Sequence, residues 1–179
     1  GIGENSLLDA ELAVNTYGNF YFKQADYLES NKEIDPYRMW MRFSTPRLEI
    51  RAGLQKINFG SATIFRPLMW FDKMDFRDPL QLTNGVYGLL GRYYFPKNVN
   101  IWVWILRGND KTKGWEIAPS KKNLNEYGGR FQVPLFKGEI AASFHNRQAN
   151  YAEFFSMSNS WDLTYYPENM VCVDGKWDL

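Results

Sequence analysis

The sequence lacks the features of a disulfide-stabilised protein, a helical membrane protein or a nucleic-acid-binding protein. Its one cysteine, Cys172, excludes an internal disulfide and a cysteine-based zinc site. No stretch approaches the roughly 18 consecutive apolar residues that a membrane-spanning helix needs. The 21 lysines and arginines balance the 20 aspartates and glutamates, and no long run of one sign occurs. We therefore expect no nucleic acid among its partners.

Patterns that bind metals or cofactors are also missing. His145 is the only histidine, which excludes a site built from several histidines. The carboxylates between Asp72 and Asp78 could supply oxygen ligands, but they lack the spacing of a calcium-binding loop. The sequence therefore predicts no metal and no cofactor.

What the sequence does have is a long stretch of strict alternation. Between Leu8 and Phe22 the even positions are mostly apolar and the odd positions mostly polar. This two-residue periodicity predicts a β-strand of about fifteen residues, whereas strands of soluble proteins usually have about five or six. A strand tilted across a bilayer needs about 9–11 residues.

A hairpin of two more alternating strands follows a predicted polar loop at 29–36. The strands meet at a tight turn formed by Thr45 and Pro46, because proline presets a turn dihedral and cannot donate to a ladder. A charged face along this hairpin cannot line a packed interior unless that interior contains water. That face carries Arg38, Arg42, Arg47, Glu49 and Arg51.

The rest of the chain repeats this organisation. Alternating segments predict strands at 86–95, 100–106, 129–133, 140–145 and 171–179, with turns at 96–98 and 134–138 and a loop at 108–125. In total we expect about eight or nine strands, joined alternately by short turns and longer loops. We predict a single domain over 1–179, interrupted by an insertion at about 60–85.

Composition points to a membrane rather than to water. Aromatic residues make up 17% of the chain, yet its mean hydropathy is only −0.46. A transmembrane barrel combines both properties, because its lumen is wet and charged while its outside is apolar and girdled by aromatics. We therefore predict an all-β fold, an antiparallel up-and-down transmembrane β-barrel or a contiguous part of a larger one.

One motif supports this prediction independently. A Gly-x-Gln-x-Ile-x-aromatic-Gly pattern leads into a segment rich in proline and aspartate, carried by Gly53, Gln55, Ile57, Phe59, Gly60, Arg66, Pro67, Asp72, Asp75, Arg77, Asp78 and Pro79. With the following strand rich in Gly and Tyr, it resembles the outer-membrane porin-like β-barrels of the Bacteroidetes. The resemblance implies a bacterial outer membrane, with membrane lipids and lipopolysaccharide as neighbours. It implies further copies of the chain or other outer-membrane proteins as partners, but it indicates no substrate.

We predict a porin-like role without enzymatic activity. Small polar solutes would diffuse passively through the lumen, or the chain would be a structural barrel subunit of an outer-membrane assembly. A constriction is expected where Arg66 and Arg77 face Asp72, Asp75 and Asp78, since opposed charges commonly set pore selectivity. The alternative for this segment is an ordinary surface loop.

Arginines on the polar faces of the predicted strands are further candidates for pore lining. They attract anionic solutes, or they form a ladder of ion pairs that only holds neighbouring strands together. The near-zero net charge favours the ladder. The arginines are Arg38, Arg42, Arg51, Arg92 and Arg130, and the expected acids are Glu49, Glu139 and Asp174.

Two alternatives of other classes remain open. Ser143 and His145 lie two apart on one predicted strand, as in outer-membrane lipid hydrolases, but in reversed order and facing the lumen. A soluble β-sandwich or lipocalin-like module would instead use its aromatics to line a ligand site. In a membrane the same aromatics would form interfacial belts; they are Tyr17, Phe20, Tyr21, Phe22, Trp40, Tyr93, Tyr94, Phe95, Trp102, Trp104 and Trp177.

Overall fold

Eight β-strands form the part of the protein that the structure describes. A computed structural model describes residues 5–23, 27–59, 70–71, 83, 85–109, 111–114, 116–149 and 166–177. The strands are β1 (Leu7–Lys23), β2 (Tyr27–Ser44), β3 (Leu48–Gln55), β4 (Val86–Tyr94), β5 (Asn100–Leu106), β6 (Glu126–Leu135), β7 (Gly138–Ala149) and β8 (Tyr166–Trp177). A single 3-10 turn, Pro96–Asn98, connects β4 to β5.

All eight strands belong to one antiparallel sheet, in which each strand pairs with the next along the chain. The prediction of an all-β, up-and-down fold is therefore confirmed. Within the described residues β1 and β8 form the two edges, and the sheet does not close into a barrel. Short turns follow β2, β4 and β6 at one end of the sheet. At the other end long connections follow β3, β5 and β7, while only three residues separate β1 from β2.

The predicted polar loop at 29–36 is wrong, because these residues belong to β2. They pair with the far half of β1, from Val14↔Pro36 to Tyr21↔Glu29. The ladder shifts register between Ala13 and Val14, beside Pro36. Proline lacks an N–H, so it is accommodated at such an irregularity without losing a regular ladder bond. A long partner strand thus overrides the local preference of a polar, proline-containing stretch.

The predicted turn at 134–138 is too long. β6 continues to Leu135 and β7 begins at Gly138, so only Phe136 and Lys137 lie between them. Phe136 takes a left-handed φ of 54°, as the first residue of a tight hairpin turn commonly does. Pro134 is the last-but-one residue of its strand and pairs with Glu139.

The sheet has two faces of opposite character. We call outer the face whose side chains are large, apolar and exposed, including Leu12, Met41, Ile50, Leu89, Val103, Phe131, Phe144 and Val171. We call inner the face that carries the buried polar residues Arg38, Glu49, Arg130, Ser143, His145 and Arg147. Leu54, predicted on the apolar face of its strand, is only 5% exposed. It follows Gly53, whose φ of 120° interrupts the regular strand.

A small aromatic core lies on the inner face. It consists of Ile57, Phe59, Trp70, Phe71, Val86, Leu90, Trp104 and Leu106. The expectation that Trp104 belongs to an interfacial belt is wrong, because it is 1% exposed at the centre of this core. Its indole lies over Gly128, where an added Cβ would come within 2.7 Å of the ring. Tyr93 and Phe95 do lie on the outer face, next to the turn at 96–98, with ring centroids 4.6 Å apart.

Candidate functional site

The predicted pore-lining arginines that the structure describes all lie on the inner face. Arg38 and Arg42 come from β2, Arg51 from β3, Arg92 from β4 and Arg130 from β6. The sheet therefore gathers side chains from four strands into one charged surface. The five predicted constriction residues lie outside the described residues; they are Arg66, Asp72, Asp75, Arg77 and Asp78.

Near the short-turn end, charged residues of four strands form what we call the arginine cluster: Asp9, Arg42, Glu49, Arg51 and Arg92. Arg42 forms a two-pronged pair with Asp9, with Nε 2.9 Å from Oδ1 and Nη2 2.5 Å from Oδ2. Paired bonds of this kind are the strongest that a guanidinium makes with a carboxylate. They tie β1 to β2 at directly opposed positions.

Arg51 and Arg92 converge on a single carboxylate. Arg51 Nη2 is 3.0 Å from Oε1 of Glu49, and Arg92 Nη1 is 3.6 Å from the same oxygen. Each guanidinium also lies over an indole ring, Arg51 at 4.6 Å from the centroid of Trp40 and Arg92 at 3.9 Å from that of Trp102. The rings are attracted to the cations and hold their planes in place.

Farther along the sheet, Arg130 reaches across a neighbouring strand. Its Nη1 and Nη2 lie 2.6 and 2.7 Å from the two carboxylate oxygens of Asp174 on β8, and Nη1 also donates to Ser143 Oγ on β7. The predicted ladder is thus present at Glu49 and Asp174. Glu139 departs from it, since it accepts a bond from Gln132 rather than from an arginine.

Arg38 is bound differently from the other arginines. Its Nη1 donates to the Tyr37 carbonyl at 2.6 Å, and its Nη2 to the Thr83 carbonyl at 2.8 Å. Thr83 belongs to the predicted insertion at about 60–85. This arginine therefore fastens the end of the insertion to β2.

At the long-loop end, buried residues form what we call the histidine network: Trp104, Lys113, Glu116, Glu126, His145 and Arg147. Trp104 Nε1 donates to Nδ1 of His145 at 3.1 Å. His145 Nε2 lies 3.1 Å from Oε2 of Glu126, whose other oxygen accepts from Lys113 Nζ at 2.9 Å. His145 is fully buried, and the rings of Trp70 and Phe71 cover it at 6.0 and 4.9 Å.

The loop at 107–125 supplies Lys113 and Glu116 of this network, and β7 supplies Arg147. Lys113 Nζ lies 3.1 Å from Glu116 Oε1 and also donates to Ser120. Arg147 lies 3.4 Å from Glu116 and 2.6 Å from Glu168. Three carboxylates, with that of Glu126, therefore surround two cations. Burial raises the pKa of the Glu116 carboxyl, and the attraction of Lys113 and Arg147 only partly opposes this.

Three potential metal ligands meet in the histidine network, but their hydrogen bonds argue against a metal. Single ligand atoms of Glu116, Glu126 and His145 lie within 4.8 Å of one another. An indole N–H can only donate, so Nδ1 of His145 must accept and the proton must reside on Nε2. A metal could bind at Nε2 only if the ring lost that proton. The ammonium of Lys113 already lies between the two carboxylates.

Ser143 and His145 share the inner face, as the sequence predicts, but they bond to different partners. Ser143 Oγ accepts from Arg130, whereas His145 bonds to Trp104 and Glu126. Among the described residues no hydrogen bond joins the serine to the histidine. This arrangement lacks the contact through which a base activates a nucleophile.

A cavity of about 290 Å³ opens beside the histidine network, at the long-loop end. Its lining is mixed, with a carboxylate from Asp35, an ammonium from Lys111 and aromatic surface from Tyr37 and Phe71. Asn109 lines it too, but its amide is already used, since it bonds to both backbone groups of Tyr87. The cavity therefore offers a small polar solute contacts of both charges.

Sequence reasoning missed the histidine network except for His145 itself. Glu126 lies four residues before Arg130 on β6, and Arg147 lies four residues after Ser143 on β7. Because alternate residues of a strand share a face, the sequence alone predicts both on the inner face. Lys113 and Glu116 carried no such signal, because they belong to an irregular loop.

No protein-family model, curated protein or solved structure matches the chain. No described helix has the length and apolar character required to span a bilayer.

Proposed function

We propose that the chain forms a porin-like β-barrel, or part of one, in a bacterial outer membrane. Small polar solutes would diffuse passively past its charged inner face. The single observation that carries this proposal is the inverted distribution of side chains. Leu12, Val171 and Val173 on the outer face are 76%, 73% and 65% exposed, while Arg130 on the inner face is 5% exposed.

Such a distribution is unfavourable in water and favourable in lipid. A soluble protein rarely exposes a continuous apolar surface of many large side chains. A transmembrane barrel presents apolar residues to lipid and polar residues to its lumen, alternately along every strand. Crossing a bilayer takes about 9–11 residues per strand. Six of the described strands have 9 to 18 residues, while β3 and β5 have 8 and 7.

The connections also support a barrel. Outer-membrane barrels have short turns at one end and longer loops at the other, and the connections from β2 to β8 follow that arrangement. Trp70 and Phe71 of the insertion pack against the inner face. That packing favours a segment folded into the lumen, which would narrow it.

Closure of the barrel is part of the proposal. Unpaired backbone groups at the edges of β1 and β8 would cost several kcal/mol each in hydrocarbon. We therefore expect these edges to pair in the membrane, with each other or with further strands. Lipid and lipopolysaccharide would then cover the outer face.

The soluble alternatives fit the two faces less well. A lipocalin-like module needs an apolar interior for its ligand and a polar surface towards water, which is the reverse of this sheet. A sandwich needs two packed sheets, whereas the described strands form one.

Electrophoresis of detergent-extracted protein, with and without boiling, tests the proposal. A closed membrane barrel should be found only in the detergent fraction and should migrate faster when unboiled. Protein that is soluble without detergent, with no shift in mobility, would contradict it.

Conductance then separates a pore from a structural subunit. Folded protein inserted into a planar bilayer should give stepwise increases in current if the lumen is open. A stable heat-modifiable barrel that never conducts would indicate the structural role.

A further inference from the structure

The arginine cluster holds more positive charge than its carboxylates balance. The guanidinium groups of Arg42, Arg51 and Arg92 face the carboxylates of Asp9 and Glu49. Both oxygens of Asp9 bond to the same guanidinium, through Nε and Nη2 of Arg42. Arg51 and Arg92 are left to share Glu49, so two cations share one anion.

Glu49 accepts few of the N–H groups of these two guanidinium groups. One of its oxygens lies 3.0 Å from Arg51 Nη2 and 3.6 Å from Arg92 Nη1, and the second distance exceeds a hydrogen bond. Among the residues that the structure describes, Nε of Arg51 and Nε of Arg92 are buried without a hydrogen-bond partner. Buried donors in folded proteins are almost always paired, so each such exception calls for an acceptor.

Trp102 adds a third unpaired donor at the same place. It lies directly opposite Arg92 in the ladder between β4 and β5, and the Arg92 guanidinium lies 3.9 Å above its ring. Its Nε1 is also buried and has no hydrogen-bond partner in the described part of the chain. Stacking on the ring face orients Arg92, but it supplies no acceptor for any N–H group.

We infer that the cluster of Arg51, Arg92 and Trp102 is a binding site for the oxyanion group, carboxylate or phosphate, of a small solute. Guanidinium groups match the geometry of both oxyanions with parallel N–H bonds. The side chains of Arg51 and Arg92 are 15% and 16% exposed, so a solute on the inner face reaches their edges. That the solute arrives through a lumen rests on the proposed function, while the binding itself does not.

Titration calorimetry tests the site with inorganic phosphate and with acetate as probes. The purified protein is titrated with each ion at constant ionic strength, because screening alone weakens such contacts. The variants Arg51→Gln and Arg92→Gln remove one guanidinium each. Arg47→Gln is the matched control, since Arg47 is an exposed arginine in the turn beside the cluster.

We expect saturable binding of at least one of the two ions. It should weaken by about tenfold or more in Arg51→Gln and Arg92→Gln, the loss of a charge-assisted bond, and stay unchanged in Arg47→Gln. Absence of saturable binding in the wild type, or equal binding in all four proteins, would overturn the inference.

A mobility shift on the same samples keeps this inference separate from the proposed function. A heat-modifiable protein that does not bind oxyanions would support the barrel and contradict the binding site. A protein that is soluble without detergent and shows no mobility shift, but binds oxyanions through Arg51 and Arg92, would contradict the barrel and support the site.

Discussion

Trp104 holds His145 in a single tautomer. Its indole N–H lies 3.1 Å from Nδ1 of the imidazole, and an indole can only donate. The ring proton must therefore reside on Nε2, which lies 3.1 Å from Glu126. The contact therefore sets the direction of both imidazole hydrogen bonds: Nδ1 accepts from Trp104, and Nε2 donates to Glu126.

Replacing Trp104 with phenylalanine should destabilise the folded protein. The change leaves Nδ1 of the buried His145 without a donor, at a cost of about 1–3 kcal/mol. The temperature at which the unboiled, fast-migrating band disappears should fall measurably.

Trp102→Phe is the matched control on the same strand. It makes the same change from indole to phenyl, but Trp102 Nε1 bonds to none of the described residues. We expect its transition temperature to fall less than that of Trp104→Phe. Equal losses would mean that ring volume, and not the bond to His145, stabilises the network.

Asp174→Asn should be among the most destabilising changes on the inner face. Arg130 is 4% exposed in its side chain and pairs with both oxygens of Asp174. Removing one member of a buried pair leaves an uncompensated charge and costs about 3–5 kcal/mol.

The double variant Arg130→Gln with Asp174→Asn tests the cause of that loss. It also removes the guanidinium that Asp174→Asn leaves unpaired with a carboxylate. The double variant should therefore be more stable than Asp174→Asn alone in the same thermal assay. A double variant that is less stable than the single one would show that Arg130 contributes through other contacts.

Strict alternation made much of the fold predictable. β1 has nearly the predicted bounds because apolar residues alternate with polar ones along it. β5 has the predicted bounds because an apolar run follows the turn that contains Pro96. The arginines from Arg38 to Arg130 were placed on the polar face for the same reason. A charged residue on a strand indicates which alternate residues lie on the inner face.

The predictions failed where alternation was ambiguous. In β5 both parities are apolar, so nothing in the sequence distinguishes the inward Trp104 from the outward Val103. The stretch 29–36 is polar and ends in Pro36, so its own composition predicts a loop. Nothing in that composition indicates that it pairs with the far half of β1. Lys113 and Glu116 reach His145 only through a long irregular loop, whose path no periodicity encodes.

Glu116→Gln should flatten the dependence of stability on pH. Burial raises the pKa of this loop carboxyl above its ordinary value of 4.5. Such a group stabilises the folded state below that value and loses the contribution as pH rises through the folded pKa. The transition temperature of the wild type should therefore fall between about pH 4.5 and neutrality by more than that of the variant.

Glu139→Gln serves as the control for this comparison. Glu139 lies at the other end of the sheet, where it accepts a bond from Gln132. Its variant is measured over the same pH range to show the effect of removing a carboxyl elsewhere in the sheet. A Glu116→Gln profile that follows the wild type would contradict the assigned role of the buried carboxyl.

The contact of the outer face with lipid is the central claim, and Val103→Arg tests it most directly. Val103 is a 57% exposed residue of the outer face on β5, while Phe136, 95% exposed in the turn at 136–137, lies outside the strands. Folding of Val103→Arg and Phe136→Arg into lipid vesicles is compared with that of the wild type. We predict that Val103→Arg loses about 2–4 kcal/mol of stability, the cost of an arginine facing the bilayer core, and that Phe136→Arg folds normally. Equal folding of both variants, at the level of the wild type, would contradict a membrane-facing outer surface.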